Sequence, residues 1–284
     1  MARPLRIEYP GALYHITSRG NARQKIFRSD KDRRYFTELL AGIVNRFQWI
    51  CYAYCLMDNH YHLVIETREA NLAKGMRQLN GIYTQKYNWK YHTTGHVFQG
   101  RYKAIIVDGD SYFLELCRYV ALNPVRAHAT ENVEDWKWSS YRATAGIDDV
   151  PSFLTTGSIL AQFSTIRKRA CELYRKFVAE GISGTSLWAE LKGQIYLGDE
   201  YFVEEMKRLL RNDNREIPRR QREAAKPDLS HLFAAASSKE ARNKAIYTAH
   251  VTYHYTLQQI GTNLDLHYTT ISRIVRDEEQ RMLQ

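Results

Sequence analysis

Trp49-Ile50-Cys51-Tyr52-Ala53-Tyr54-Cys55-Leu56-Met57-Asp58-Asn59-His60-Tyr61-His62-Leu63-Val64-Ile65-Glu66 reads as two β-strands, 49–56 and 60–66, rich in aromatic and β-branched residues and joined by the short turn Met57-Asp58-Asn59. Strand side chains alternate with a period of two, so His60 and His62 share one face and Tyr61 takes the other. Two imidazoles side by side are the start of a divalent-metal site. The same spacing also fits two polar residues on a solvated strand face, since ten histidines in 284 residues produce a His-x-His by chance. The surrounding sequence decides between these.

Upstream, residues 12–18 (ALYHITS) read as a strand that runs into Arg19-Gly20-Asn21. Asp30 can open a helix over 30–47, with Phe36, Leu39, Leu40 and Ile43 at helical spacing. Downstream, a helix is predicted over 72–87 and a short strand over 104–107. The turn Asp108-Gly109-Asp110 then opens a further helix that ends near 122, because Pro124 disfavours its continuation. Strand, helix, strand, strand, helix, strand, helix predicts an α+β unit over 1–146, a ferredoxin-like antiparallel sheet with helices on one face.

From Pro151 the strand signals disappear. Helices over 166–179 and 201–211 make 151–226 a helical middle region closed by a basic linker, 215–226. The last segment, 227–284, carries a helix over 241–253, a capping box formed by Thr256 and Gln259, a turn over 261–266 and a final helix over 268–276. Leu257, Ile260, Leu264, Ile271 and Val275 supply contacts between two short crossed helices, while Thr269, Thr270, Ser272, Arg273 and Arg276 stay polar. That pattern is expected of a helix-turn-helix offering its second helix to the major groove, or of a plain αα-hairpin docked on a core.

Composition narrows the partners. Forty-one basic against 31 acidic residues leave a net charge of +10, which favours a polyanion such as nucleic acid, although a generally basic soluble protein shows the same balance. Among twenty tyrosines, the run Tyr83-Thr84-Gln85-Lys86-Tyr87-Asn88-Trp89-Lys90-Tyr91 suits base stacking beside phosphates, or equally a helix with a buried face and a basic rim. The four cysteines, Cys51, Cys55, Cys117 and Cys171, lack zinc-finger spacing and predict free buried thiols in a reducing compartment. No long apolar run or signal core is present, so no membrane partner is expected and the expected location is cytoplasmic, nucleoid-associated.

On the helix before Pro124, Tyr119 and Asn123 stand at i and i+4 and share a face, where an amide oxygen and a hydroxyl can act together. A buried tyrosine and a helix-ending asparagine fit the same spacing.

Four segments in order resemble the REP-associated tyrosine transposases, a branch of the single-tyrosine HUH transposases. They are Pro10-Gly11-Ala12-Leu13-Tyr14-His15 with Ser18-Arg19-Gly20-Asn21, then Met57 to His62, then Phe98-Gln99-Gly100-Arg101-Tyr102, then Tyr119 through Asn123-Pro124-Val125-Arg126. The middle of the histidine motif is usually a plain hydrophobe in that family, and here it is Tyr61. The resemblance implies that His60, His62 and Asn123 bind Mg²⁺ or Mn²⁺ and that Tyr119 is the nucleophile. Arg19, Arg101, Lys103 and Arg126 are the expected DNA contacts of that segment, with Thr269, Thr270, Ser272, Arg273 and Arg276 in the tail, which is similar to the helix-turn-helix of chromosomal replication initiators. The implied activity is metal-dependent cleavage and strand transfer on single-stranded or hairpin DNA through a 5′-phosphotyrosine, with duplex DNA held by the tail. A non-catalytic regulator that recognises structured DNA is the alternative. Whether the protein acts as a monomer or a dimer stays open.

Overall fold

The central hairpin pairs β2 (Trp49–Leu56) with β3 (His60–Thr67), with one irregularity between Cys51 and Ala53. β1 (Ala12–Arg19) lies antiparallel along the other edge of β3, and β4 (Lys103–Val107) lies antiparallel along β1. α1 (Asp30–Phe47) joins β1 to β2, and α2 (Leu72–Tyr91) joins β3 to β4. Both β1 and β2 run against β3, so they are parallel to each other with β3 between them. β3 and β4 straddle β1 in the same way. The result is two interleaved split crossovers. This computed structural model describes residues 7–182, 187, 191–192, 195–210, 228–234, 238–253 and 255–282.

α1 and α2 cover one face of the sheet. There the Tyr61 ring lies 4.9 Å from Phe36, and its hydroxyl donates to Asn80 Oδ1 at 2.7 Å. Tyr61 thus fills a hydrophobe's position because α2 supplies an acceptor for its one polar atom. Trp49 donates to Asn71 Oδ1 at 2.7 Å and packs so closely on α2 that a Cβ at Gly75 would stand 2.1 Å from its ring.

The opposite face is covered too, which corrects the expectation of helices on one face. Ala53, Cys55 and Val64 meet Leu116, Cys117 and Val120 of α3 (Gly109–Ala121), together with Ala170, Tyr174 and Val178 of α7 (Arg167–Glu180). The physical reason is that β2 and β3 carry apolar residues at both phases of the strand, so both faces must be buried. Short helices α4 (Asn123–Arg126), α5 (Tyr141–Thr144) and α6 (Gly157–Ala161) connect α3 to α7.

A second correction concerns the sheet, which is mixed rather than antiparallel. In the region expected to be all helical, β5 (Leu191–Lys192) and β6 (Tyr196–Leu197) extend it to six strands in the order β2-β3-β1-β4-β6-β5, with β6 parallel to β4. Two-residue strands are too short to show a period; they exist because β4 offers them hydrogen bonds. α8 (Glu200–Leu210) follows. All four cysteines are buried and free, and burial pushes the Cys51 thiol up to about 12 and raises Cys55 and Cys117 as well. They are packing residues.

The described residues fall into two compact units, 7–210 and 228–282. The second contains α9 (Leu229–Ala234), α10 (Lys239–Tyr247) with a π-turn over Thr248–Thr252, α11 (Leu257–Leu264) and α12 (Tyr268–Met282). Leu229, Ile246, Ala249, Ile260 and Ile271 form its core. Thr256 and Gln259 cap α11 reciprocally, and Asp265, at φ +53°, turns the chain into α12. The expected basic linker, 215–226, lies outside the described residues. Among the described residues no helix is long and apolar enough to cross a membrane.

One buried charge anchors the first unit. Asp32 accepts hydrogen bonds from the Arg28 and Ser29 N–H groups at 2.9 Å and from the Tyr91 hydroxyl at 2.6 Å, and pairs with Lys90. Burial alone would raise its pKa, but these bonds outweigh it and hold the carboxyl below its ordinary range. Asp32→Ala is expected to cost about 2–4 kcal/mol at neutral pH, because Lys90 and two N–H groups lose their acceptor. A carboxylate with a depressed pKa contributes stability that is present above about pH 4 and is lost as pH falls further. The gap between the two proteins in urea unfolding should therefore be full at pH 7 and narrow progressively as pH falls below about 4; a gap that does not narrow would remove Asp32 from this role.

Candidate functional site

β3 presents His60, His62 and Val64 to the α3 side of the sheet, and α3 lies across them. Its register is set by Arg118, which pairs with Glu115, stacks over Phe177 of α7 at 4.3 Å and donates to the Phe177 carbonyl at 3.3 Å. The Tyr119 ring then lies edge-on to His62 and to His15 of β1, both with centroids 5.8 Å away. α3 ends at Ala121, Leu122 makes the joint, and Asn123 opens α4, with Pro124 in the first turn where its missing N–H costs nothing. Across that joint the buried Asn123 still places Oδ1 3.3 Å from His60 Nε2. His60, His62, Tyr119 and Asn123 are therefore brought together.

The imidazoles are kept neutral. Burial lowers the pKa of His60, and the charge of Arg19 adds to this, against an opposing contribution from Asn123. His62 is driven lower still by burial, then by His15, His60 and Arg19. Neutral rings have lone pairs to offer. His60 Nδ1 lies 2.7 Å from Asn59 Oδ1, so its single proton is used there and the Nε2 lone pair faces the Asn123 oxygen. Two donors each about 2.1 Å from one cation, at 90–109° to each other, stand about 3.0–3.4 Å apart, which matches that pair. His62 Nε2 is buried with no hydrogen-bond partner among the described residues. Two imidazoles and an amide thus fit a divalent cation. No group of three or more His, Cys, Asp or Glu side chains arranged for a metal occurs among the described residues, and this donor set has only two such members.

Basic side chains rim the site. Arg19 is exposed and stands opposite His60 in the β1–β3 register. Lys103, also exposed, completes a row with Thr17 and His62 on one face of the sheet. The Arg126 guanidinium lies 5.4 Å from the centre of the Tyr119 ring and donates to the Gly181 carbonyl at 3.0 Å. Arg101 is exposed just before β4. Behind Arg19, Gly20 is required by a close approach, since a Cβ there would meet the Gln24 carbonyl oxygen at 2.0 Å. In the second unit Thr269, Ser272, Arg273 and Arg276 are exposed on α12, Thr270 is half-buried, and Thr269 is engaged by His267 at 2.8 Å.

One member of the site escaped sequence reading, and the aromatic run resolves to its buried-face alternative. His15 is a member of the cluster; the signal available was its phase, since Leu13, His15, Thr17 and Arg19 alternate toward one face. In the aromatic run, Tyr83 and Tyr87 are buried and Tyr91 packs on Tyr87 at 4.8 Å, leaving Trp89, 73% exposed, as its open ring.

The site is thus a hairpin strand bearing two imidazoles, under a helix bearing a tyrosine and a following helix opened by an amide, on an α+β scaffold. Residues 9–123 match the family model described as Transposase IS200 like, a span that includes all four of these side chains. No curated protein matches the chain. Among solved structures, the one described as "Structure of the REP associates tyrosine transposase bound to a REP hairpin" aligns with a TM-score of 0.45 at 14% identity, covering 55% of this chain and 92% of that one.

The donor set makes a direct prediction. Calorimetric titration with Mn²⁺ should show one site in the full-length protein, weakened at least about tenfold by His60→Ala or His62→Ala and less by Asn123→Ala, where water can replace a neutral amide. Unchanged affinity in both histidine variants would remove them as ligands.

Proposed function

We propose that this protein is a tyrosine transposase-like enzyme that cuts and rejoins single-stranded or hairpin DNA. The observation that carries the reading is the convergence of Tyr119 with His60, His62 and Asn123 beneath a rim of Arg19, Lys103 and Arg126. The family match over residues 9–123 supports it.

In this mechanism the basic rim draws in the phosphate backbone, and the edge-on packing of Tyr119 against the histidines fixes where its hydroxyl stands relative to the scissile phosphorus. A divalent cation bound by His60, His62 and Asn123 would supply Lewis-acid withdrawal of charge from a non-bridging phosphate oxygen. The Tyr119 oxygen gives up its proton and bonds to phosphorus, the P–O3′ bond breaks, and the departing 3′ oxygen takes up a proton to become a free hydroxyl. The 5′-phosphate remains on Tyr119. Attack by a 3′-hydroxyl reverses the step and restores the tyrosine, which is how one residue both cuts and joins.

Tyr119→Phe should abolish cleavage of hairpin substrates with single-stranded flanks while leaving binding within a few-fold, since one hydroxyl is lost and no charge changes. The native protein should form a covalent adduct visible on denaturing gels, and EDTA should suppress it. Cleavage by Tyr119→Phe, or by the native enzyme in excess EDTA, would sink the corresponding part of the mechanism; binding without any adduct would leave a regulator that recognises structured DNA.

The second unit is assigned to duplex DNA. The exposed hydroxyls and arginines at the start of α12 suit a helix presented to the major groove, with Arg273 and Arg276 reaching phosphates. Arg273→Ala and Arg276→Ala should each lower duplex affinity and reduce the slope of log K against log salt by about one. A chain ending at Lys226 should lose most duplex affinity; equal binding with and without the tail would return α12 to a packing role.

A further inference from the structure

We propose that His15 is a positioning residue for the metal site: its Nε2 accepts a hydrogen bond from His62 Nδ1–H and so holds His62 in the one tautomer whose Nε2 can bind a cation. The proposal rests on the reading of His62 as a ligand.

The two ring planes lie within 7° of parallel with centroids 5.1 Å apart, and His15 Nε2 lies 2.9 Å from His62 Nδ1, an edge-to-edge contact. Both side chains are almost wholly buried, at 2% and 6% exposure. His15 is held in place because its register partners are Val64 on β3 and Ile105 on β4, which puts it on the α3 face of the sheet's middle. At that depth an imidazolium is costly and the neutral ring is favoured. A neutral imidazole carries one proton, so the contact is one hydrogen bond with two directions to choose from.

The directions have different consequences for His62. If His15 donates, the His62 proton sits on Nε2, a buried atom with no acceptor among the described residues, and that nitrogen cannot bind metal. If His62 donates from Nδ1, its Nε2 keeps a lone pair. That lone pair is what a cation can satisfy directly, so only this direction makes His62 a ligand. Metal-binding histidines fix their tautomer by donating the other ring proton in this way, and loss of such partners typically weakens metal binding about 10–100-fold. Usually the acceptor is a carboxylate or a carbonyl. Here a second imidazole, set edge to edge with the first, fills that role and also borders the Tyr119 ring.

The test uses the full-length protein. Nitrogen-15 histidine NMR in EDTA should find His62 protonated at Nδ1 and bare at Nε2, its signals assigned by their loss in His62→Ala. Mn²⁺ calorimetry on the folded variants should show His15→Leu weakened about 10–100-fold and His15→Gln, whose side-chain carbonyl can accept from Nδ1, close to wild type. A proton on His62 Nε2, full affinity in a folded His15→Leu protein, or equal weakening by Leu and Gln would each overturn the proposal. If the native protein binds no Mn²⁺, the reading of the metal site fails, and the tautomer alone decides the role of His15.

Discussion

The middle of strand β3 has no side that faces water. Leu63 and Ile65 share the α1–α2 face, Val64 lies under α3, His62 is drawn into the same dry layer, and His60 stands half-buried at its end. That constraint sets the chemistry of the site. In a low-dielectric layer an imidazolium is costly, so burial strips the rings of charge and leaves each with one proton and one lone pair. Each ring nitrogen then depends on its neighbour: His60 Nδ1 lies against Asn59, and His62 Nδ1 against His15. In the proposed reading the Nε2 atoms of His60 and His62 are the ones kept for a cation.

The same layer separates two kinds of charge. The chain carries an excess of ten positive charges, yet the cluster at its centre is neutral and the arginines and lysine near it sit at the rim. In the proposed reading, a polyanion approaching such a surface is attracted from a distance by the rim and meets, at its centre, groups that would bind through lone pairs rather than net charge. Attraction and coordination would then fall to different residues.

Much of this was legible in the sequence. The hairpin could be read from its β-prone residues and the turn between them, α1 from helical spacing, and α3 from the Asp108-Gly109-Asp110 turn that opens it and the Pro124 that ends it. Tyr119 could be picked from twenty tyrosines only through resemblance, because nothing local distinguishes it. The α3-side cover of the sheet was missed because a helix sequence states which of its faces is apolar, not which side of a sheet it will meet. His15 was missed for a different reason: its partner lies 47 residues away, and hydrogen bonds between strands leave no trace in the spacing of either. β5 and β6 left no signal of their own. They are consequences of an open neighbour, not of propensity.

That open neighbour has a consequence during synthesis. The N–H groups of Ile106 and Asp108 on the outer edge of β4 donate to the carbonyls of Ile195 and Leu197, and Asp108 is also the residue that caps α3. Leu197 follows Val107 by ninety positions. At roughly 5–20 residues per second, a ribosome makes β6 about 5–18 s after β4. During that interval the sheet has a bare edge at the start of the tyrosine helix, and a bare edge accepts any strand that reaches it, including the same strand from a neighbouring nascent chain. The late arrival of two residues thus makes crowding on the polysome a point at which this protein is exposed to misassembly.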